Sequence, residues 1–140
     1  MVTLIDTSFL LAAFYLRDQY YTRARSVIQS VLDSTVCIVP APVHQELFHM
    51  ATARMGYKRA IDTCERVIAA GFEIQPLLDE DLLRLLAITR QYASASFDYA
   101  DVAIMALSER LNITQVYTFD RRDFSVFRPK HCDYLELLPT

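Results

Sequence analysis

Glycine occurs only twice, at Gly56 and Gly71, so no loop of the Walker or G-x-G-x-x-G kind can cradle a nucleotide phosphate. Nucleotide-cofactor readings lose their usual scaffold. Cys37, Cys64 and Cys132 are odd in number, widely spaced and without a C-x-x-C pair, which argues against a disulfide framework or a structural zinc site. A reduced, cytoplasmic chain is expected. The longest apolar run, FLLAAFYL, is far too short to span a bilayer, and the opening MVTLIDTS has neither a basic n-region nor a long apolar h-region. Secretion and membrane insertion are not expected. Positive charge is also in deficit: 14 Lys and Arg against 17 Asp and Glu leave a net charge of −3. No global field gathers a polyanion, so any such partner must be gripped locally.

What the chain does contain is enough for a core. At 140 residues and 53% hydrophobic composition, one domain spanning 1–140 is expected. Val2 to Ile5 reads as a buried strand ended by the turn and cap residues Asp6-Thr7-Ser8. Helices are predicted from Phe9 to Tyr15 and Thr22 to Leu32. A second strand, Val36 to Val39, is closed by Pro40 and Pro42, and Pro42 suits the first turn of a helix from Val43 to Arg54. A helix from Tyr57 to Ala70 ends at Gly71. Then come a strand from Phe72 to Gln75, a helix from Asp79 to Ala93, a helix from Asp98 to Leu111, a strand from Gln115 to Phe119 and a short last strand from Tyr134 to Leu137. Alternating strands and helices indicate an α/β fold with a mostly parallel central sheet.

Carboxylates stand at the ends of the most apolar segments. Asp6 ends the first strand and Asp120 ends QVYTF, so both project from the carboxyl edge of a parallel sheet, where ligands bind. Glu46 lies early in the helix after the second strand, and Asp101 opens the helix that contains VAIMAL. Four such charges in one crevice repel one another unless a cation joins them. Mg²⁺ or Mn²⁺ fits an all-oxygen ligand set, and phosphodiester hydrolysis is the chemistry such an ion supports.

Taken singly, each acid has a plainer reading. Asp6 can cap the next helix, Asp98 fits an N-cap with Asp101 in the dipole-favoured first turn, Glu46 can be an exposed helix residue, Asp120 can be a turn residue, and Asp123 can pair with Arg121 or Arg122 on the surface. Other acid-based families fit worse. A HAD-type phosphatase needs an acid where Ser8 stands, a receiver domain needs a late-strand lysine where Lys130 lies in FRPKH, and His44 and His49 are five apart rather than the four of H-E-x-x-H.

The order of motifs, IDTS, an isolated mid-chain Glu46, YADVAIMALSERL and then VYTFDRRDF, resembles PIN-domain proteins, especially VapC-like toxin ribonucleases of toxin–antitoxin pairs. The resemblance covers nearly the whole chain and is most specific from Tyr99 to Phe124. It implies a three-layer α/β/α sandwich and Mg²⁺- or Mn²⁺-dependent cleavage of single-stranded RNA. Asp6, Glu46, Asp101 and Asp120 take the catalytic, metal-binding positions, with Asp98 and Asp123 accessory. It also implies a small antitoxin partner and a homodimer, for which Phe9, Leu10, Phe14, Tyr15, Phe48 and Met50 offer apolar helix surface. A PIN-like RNA- or protein-binding scaffold that does not cut is the alternative. Arg121, Arg122, Arg128 and Lys130, and separately Arg54, Lys58 and Arg59, can grip phosphates or remain solvated. Tyr20, Tyr21 and Tyr57 can stack on bases or be plain surface aromatics.

Overall fold

A computed structural model describes residues 1–140. Five short strands form one sheet: β1 (Val2–Ile5), β2 (Val36–Pro40), β3 (Glu73–Gln75), β4 (Gln115–Tyr117) and β5 (Glu136–Leu138). All are parallel, in the order β3-β2-β1-β4-β5. Helices fill the crossovers that parallel neighbours require: α1 (Thr7–Phe14), α2 (Tyr21–Ser34), α3 (Ala41–Met55), α4 (Tyr57–Ala69), α5 (Asp79–Gln91), α6 (Tyr99–Arg110) and α7 (Arg122–Val126). The expected α/β/α sandwich is what forms, and its sheet is parallel throughout.

Strand order decides where a site can lie. The chain moves outward from β1 through β2 to β3, then returns to lay β4 on the other side of β1. That reversal opens a crevice at the carboxyl ends of β1 and β4. Leu4 and Ile5 pair with Val116 and Tyr117, and the Asp6 N–H continues the ladder to the Tyr117 carbonyl at 3.1 Å. The residues after both strands therefore meet at one edge.

Local chemistry sets the helices around that edge. Asp6 is the N-cap of α1, accepting from the Phe9 N–H. A proline in its first turn starts α3. Gly56 separates α3 from α4 at φ 91°, backbone that a side chain would strain. Helix α6 is buried from Val102 to Ser108 and is tied to α5 at its far end. Arg84 pairs with Glu109 at 2.6 Å and Arg110 with the buried Asp81 at 2.7 Å. These pairs fix the helix that carries Asp101.

Three expectations change. Phe9 and Leu10 are fully buried, because α1 lies over the sheet with almost every residue inward, so they offer no surface to a partner; Phe14, Tyr15, Phe48 and Met50 are half-buried against the core. The strand expected from Gln115 to Phe119 ends at Tyr117, and after Asp120 the chain forms the short helix α7, where the sequence predicts no element. The last strand is Glu136–Leu138, two residues late at its start, placed by pairing with β4. No helix is long and apolar enough to cross a membrane.

Candidate active site

Asp6 is 2% exposed and held on both oxygens. Oδ1 accepts from the Phe9 N–H at 3.0 Å and from Ser8 Oγ at 2.8 Å, and Oδ2 accepts from Thr118 Oγ1. A carboxylate oxygen has two lone-pair sites, so Oδ2 keeps one for another partner. The capping role of Asp6 is thus present, through Oδ1, while Oδ2, bonded to Thr118, keeps one lone pair. Burial, partly offset by the bonds from Thr118, Phe9 and Ser8 and reinforced by the charge of Asp120, pushes its pKa up to about 7.

The closest grouping of acids is Asp98, Asp101 and Asp123, whose carboxylate oxygens lie within 4.8 Å of one another. Asp101, in the first turn of α6, is held well above the ordinary carboxyl range. Burial is the main cause; a hydrogen bond shared with Asp123 and the charges of Asp6, Asp123 and Asp98 add to it. The charge of Asp6 is thus felt at Asp101 across the crevice between β1 and α6. Asp120 is exposed beside them, its N–H bonded to Thr118 Oγ1 at 2.9 Å and Ser8 Oγ at 3.2 Å.

Two assignments from sequence need correction. Asp123 does pair with Arg122, but not on the surface: it is 4% exposed, because α7 turns it under the head of α6, where it accepts from the Asp98 N–H at 3.1 Å. Asp98 occupies the N-cap position of α6, yet its side chain caps nothing and joins the acidic group instead. Glu46 stands outside that trio, half-buried on α3, where it lines a shallow cavity with Tyr99 and Ala100 of the first turn of α6.

The basic clusters divide as well. Arg122 reaches Asp123 at 3.5 Å and Asp98 at 3.8 Å, which places one guanidinium on the rim of the site. Arg121 and Arg128 instead donate to backbone carbonyls, of Pro139 and of Ser125 and Phe127. Arg54 and Arg59 line a separate cavity of about 610 Å³ with Arg17 and Arg66. His44 bonds the Cys64 carbonyl at 3.1 Å, a packing role.

The donors are hard carboxylate oxygens, and desolvation and neighbouring acids push two of the groups, the buried Asp6 and the half-buried Asp101, toward neutrality. A divalent cation would relieve both penalties at once, so the residues fit such an ion. A family model for the PIN domain matches residues 3–128. The chain belongs to the PIN-domain family. Among relatives of this PIN domain, Ribonuclease VapC26 of Mycobacterium tuberculosis is 27% identical over 126 residues, spanning 90% of this chain and 92% of its own. The fold is similar to that of VapC20 from the same organism, a sarcin–ricin-loop-cleaving toxin, with a TM-score of 0.79 at 16% identity over 89% of this chain and 95% of the other. A chain of a toxin–antitoxin complex from Klebsiella pneumoniae superimposes with a TM-score of 0.63 at 18% identity, over 89% and 92%.

Proposed function

We propose that this PIN domain, a single unit over residues 1–140, is a Mg²⁺- or Mn²⁺-dependent endoribonuclease that cleaves single-stranded RNA and serves as the toxin of a toxin–antitoxin pair. One observation carries the reading: the buried Asp6 and the half-buried Asp101 stand at a topological switch point among Asp98, Asp120 and Asp123, an arrangement costly for a cation-free protein. Ribonuclease VapC26 and the toxin neighbours supply the reaction class and the partner. Asp6, Glu46, Asp101 and Asp120 are the proposed ligands, and the buried Asp123 joins them. When bound, a divalent cation supplies Lewis acidity toward a phosphodiester and an activated water.

The chain's own residues do the positioning. Ser8 and Thr118 fix the rotamer of Asp6, leaving Oδ2 able to accept once more. Helix α6, strapped to α5, sets Asp101 opposite. Arg122 offers a planar fork suited to a substrate phosphate, and its grip on Asp98 and Asp123 yields when a stronger cation occupies the acids. A small antitoxin would bind beside the site, and half-buried Phe14, Tyr15, Phe48 and Met50 support contact with it or with a second copy of the chain in a homodimer.

Incubation of purified protein with single-stranded RNA tests the reading. Cleavage that requires Mg²⁺ or Mn²⁺ and is lost in Asp6→Asn, Asp101→Asn and Asp120→Asn is expected. Cleavage undiminished in chelator, or in Asp101→Asn, overturns it. Sedimentation that finds only monomer at high micromolar concentration overturns the homodimer alone.

A further inference from the structure

Three aromatic rings form a column beside the acidic crevice. Phe9, fully buried at the head of α1, stacks on Phe119 with centroids 5.8 Å apart and planes at 13°, and packs edge-on against Tyr117 at 5.3 Å. Phe119 in turn lies parallel to Tyr20, 4.5 Å apart with 1° between planes, an offset stack. Tyr20 ends the column and is 40% exposed.

The column is rigid and is joined to the site. The Phe119 N–H donates to Ser8 Oγ at 2.9 Å, and Ser8 Oγ donates to Asp6 Oδ1 at 2.8 Å. A single hydroxyl thus separates the Phe119 backbone from the buried carboxylate. Tyr20 is fixed from its own side. Its N–H donates to Asp18 Oδ1 at 2.8 Å, and its carbonyl accepts from the Ala24 N–H at 2.8 Å in the first turn of α2. The ring therefore holds its plane with nothing stacked on its solvent side.

We infer that Tyr20 is the stacking platform for a base of the RNA, holding the nucleotide next to the one whose phosphate meets the carboxylates. The inference rests on the ribonuclease reading above and adds a base subsite to it. Every base offers a π-face, so such a platform tolerates sequence while fixing position. In an acidic chain it also supplies attraction that does not depend on charge.

Steady-state cleavage of a ten-nucleotide RNA by the full chain, compared with Tyr20→Phe, Tyr20→Trp and Tyr20→Leu, tests the platform. Tyr20→Leu still covers Phe119 but presents no π-face. It should raise KM by roughly five- to a hundredfold with little change in kcat and unaltered thermal unfolding, while the Phe and Trp variants stay near wild type. Substrates carrying one abasic site at each position in turn supply the second measurement. One position should weaken wild-type binding and have no effect on Tyr20→Leu. A wild-type KM in Tyr20→Leu, or abasic penalties equal in both proteins, overturns the platform and leaves the nuclease standing. A wild type that neither binds nor cuts RNA overturns the nuclease reading and the platform with it.

Discussion

Ser8 Oγ lies 2.8 Å from Asp6 Oδ1 and donates to it, while accepting the backbone N–H groups of Phe119 and Asp120 at 2.9 and 3.2 Å. One hydroxyl thereby locks the end of β1 to the loop after β4. Replacing it with alanine removes a donor to a buried carboxylate and the acceptor of two amides. Ser8→Ala should lose about 1–3 kcal/mol in urea unfolding and most RNA cleavage, with partial recovery in Ser8→Thr. An unchanged midpoint would mean that the loop finds other partners.

Asp101→Asn separates a cation site from ordinary helix capping by the sign of its effect. As a first-turn dipole partner alone, Asp101 would stabilise α6, and its loss would cost roughly 0.3 to 1 kcal/mol. Crowded by Asp6, Asp98 and Asp123, it should instead give a metal-free variant as stable as wild type or more so. Mg²⁺ or Mn²⁺ should raise the wild-type Tm by binding the folded state, and should raise that of Asp101→Asn far less. Thermal unfolding of both proteins with and without metal reads all four values.

Asp123 does two things that two substitutions pull apart. Asp123→Asn keeps an acceptor for the Asp98 N–H but loses the charge, so it should fold normally and cleave RNA poorly. Asp123→Ala also abandons the amide, and should cost about 1–3 kcal/mol more in unfolding. Equal stability of the two variants would count against the hydrogen bond as a structural tie.

Acid stability should depend on Glu109. Burial raises its pKa, but hydrogen bonds from Arg84 at 2.6 and 3.0 Å and from the Lys130 N–H, together with both positive charges, outweigh burial and leave it below the ordinary 4.5. A carboxyl depressed in the folded state binds fewer protons there than in the unfolded chain. Its contribution is full above pH 4.5 and disappears as pH falls through the folded value. Unfolding between about pH 5 and 3 should therefore lose less stability in Glu109→Gln than in wild type. Parallel pH curves would refute this.

Much of the fold is legible because hydrophobic patterning and breakers agree. VTLI, VCIVP and QVY are β-branched or apolar runs, the first closed by aspartate and the second by proline, and they are the three central strands. Asp6 and Asp120 follow from the same logic, since the residues just beyond a parallel strand, one after β1 and three after β4, lie at the carboxyl edge. The burial of Asp123, though not its place near the site, is illegible for a physical reason: α7 has five residues, too few for a periodic signal, and an Asp between arginines and a phenylalanine looks solvated until the turn buries it. Asp98 misled because an N-cap position does not oblige its side chain to cap. Phe9 and Leu10 misled because an eight-residue helix that is buried nearly all round has no polar face to mark its inside.

The ion pairs between α5 and α6 all lie at the last turn of α6, at Glu109 and Arg110, whereas its first turn is tied to Asp123, itself one of the repelling acids. In mechanical terms α6 is a cantilever clamped at the tail and loaded at the tip. Adding a cation changes the load from repulsion to attraction without touching the clamp, so the response concentrates in the first two turns. Amide hydrogen exchange at Asp101, Val102 and Ala103 should slow on metal loading, while Leu107 to Arg110 keep their rate.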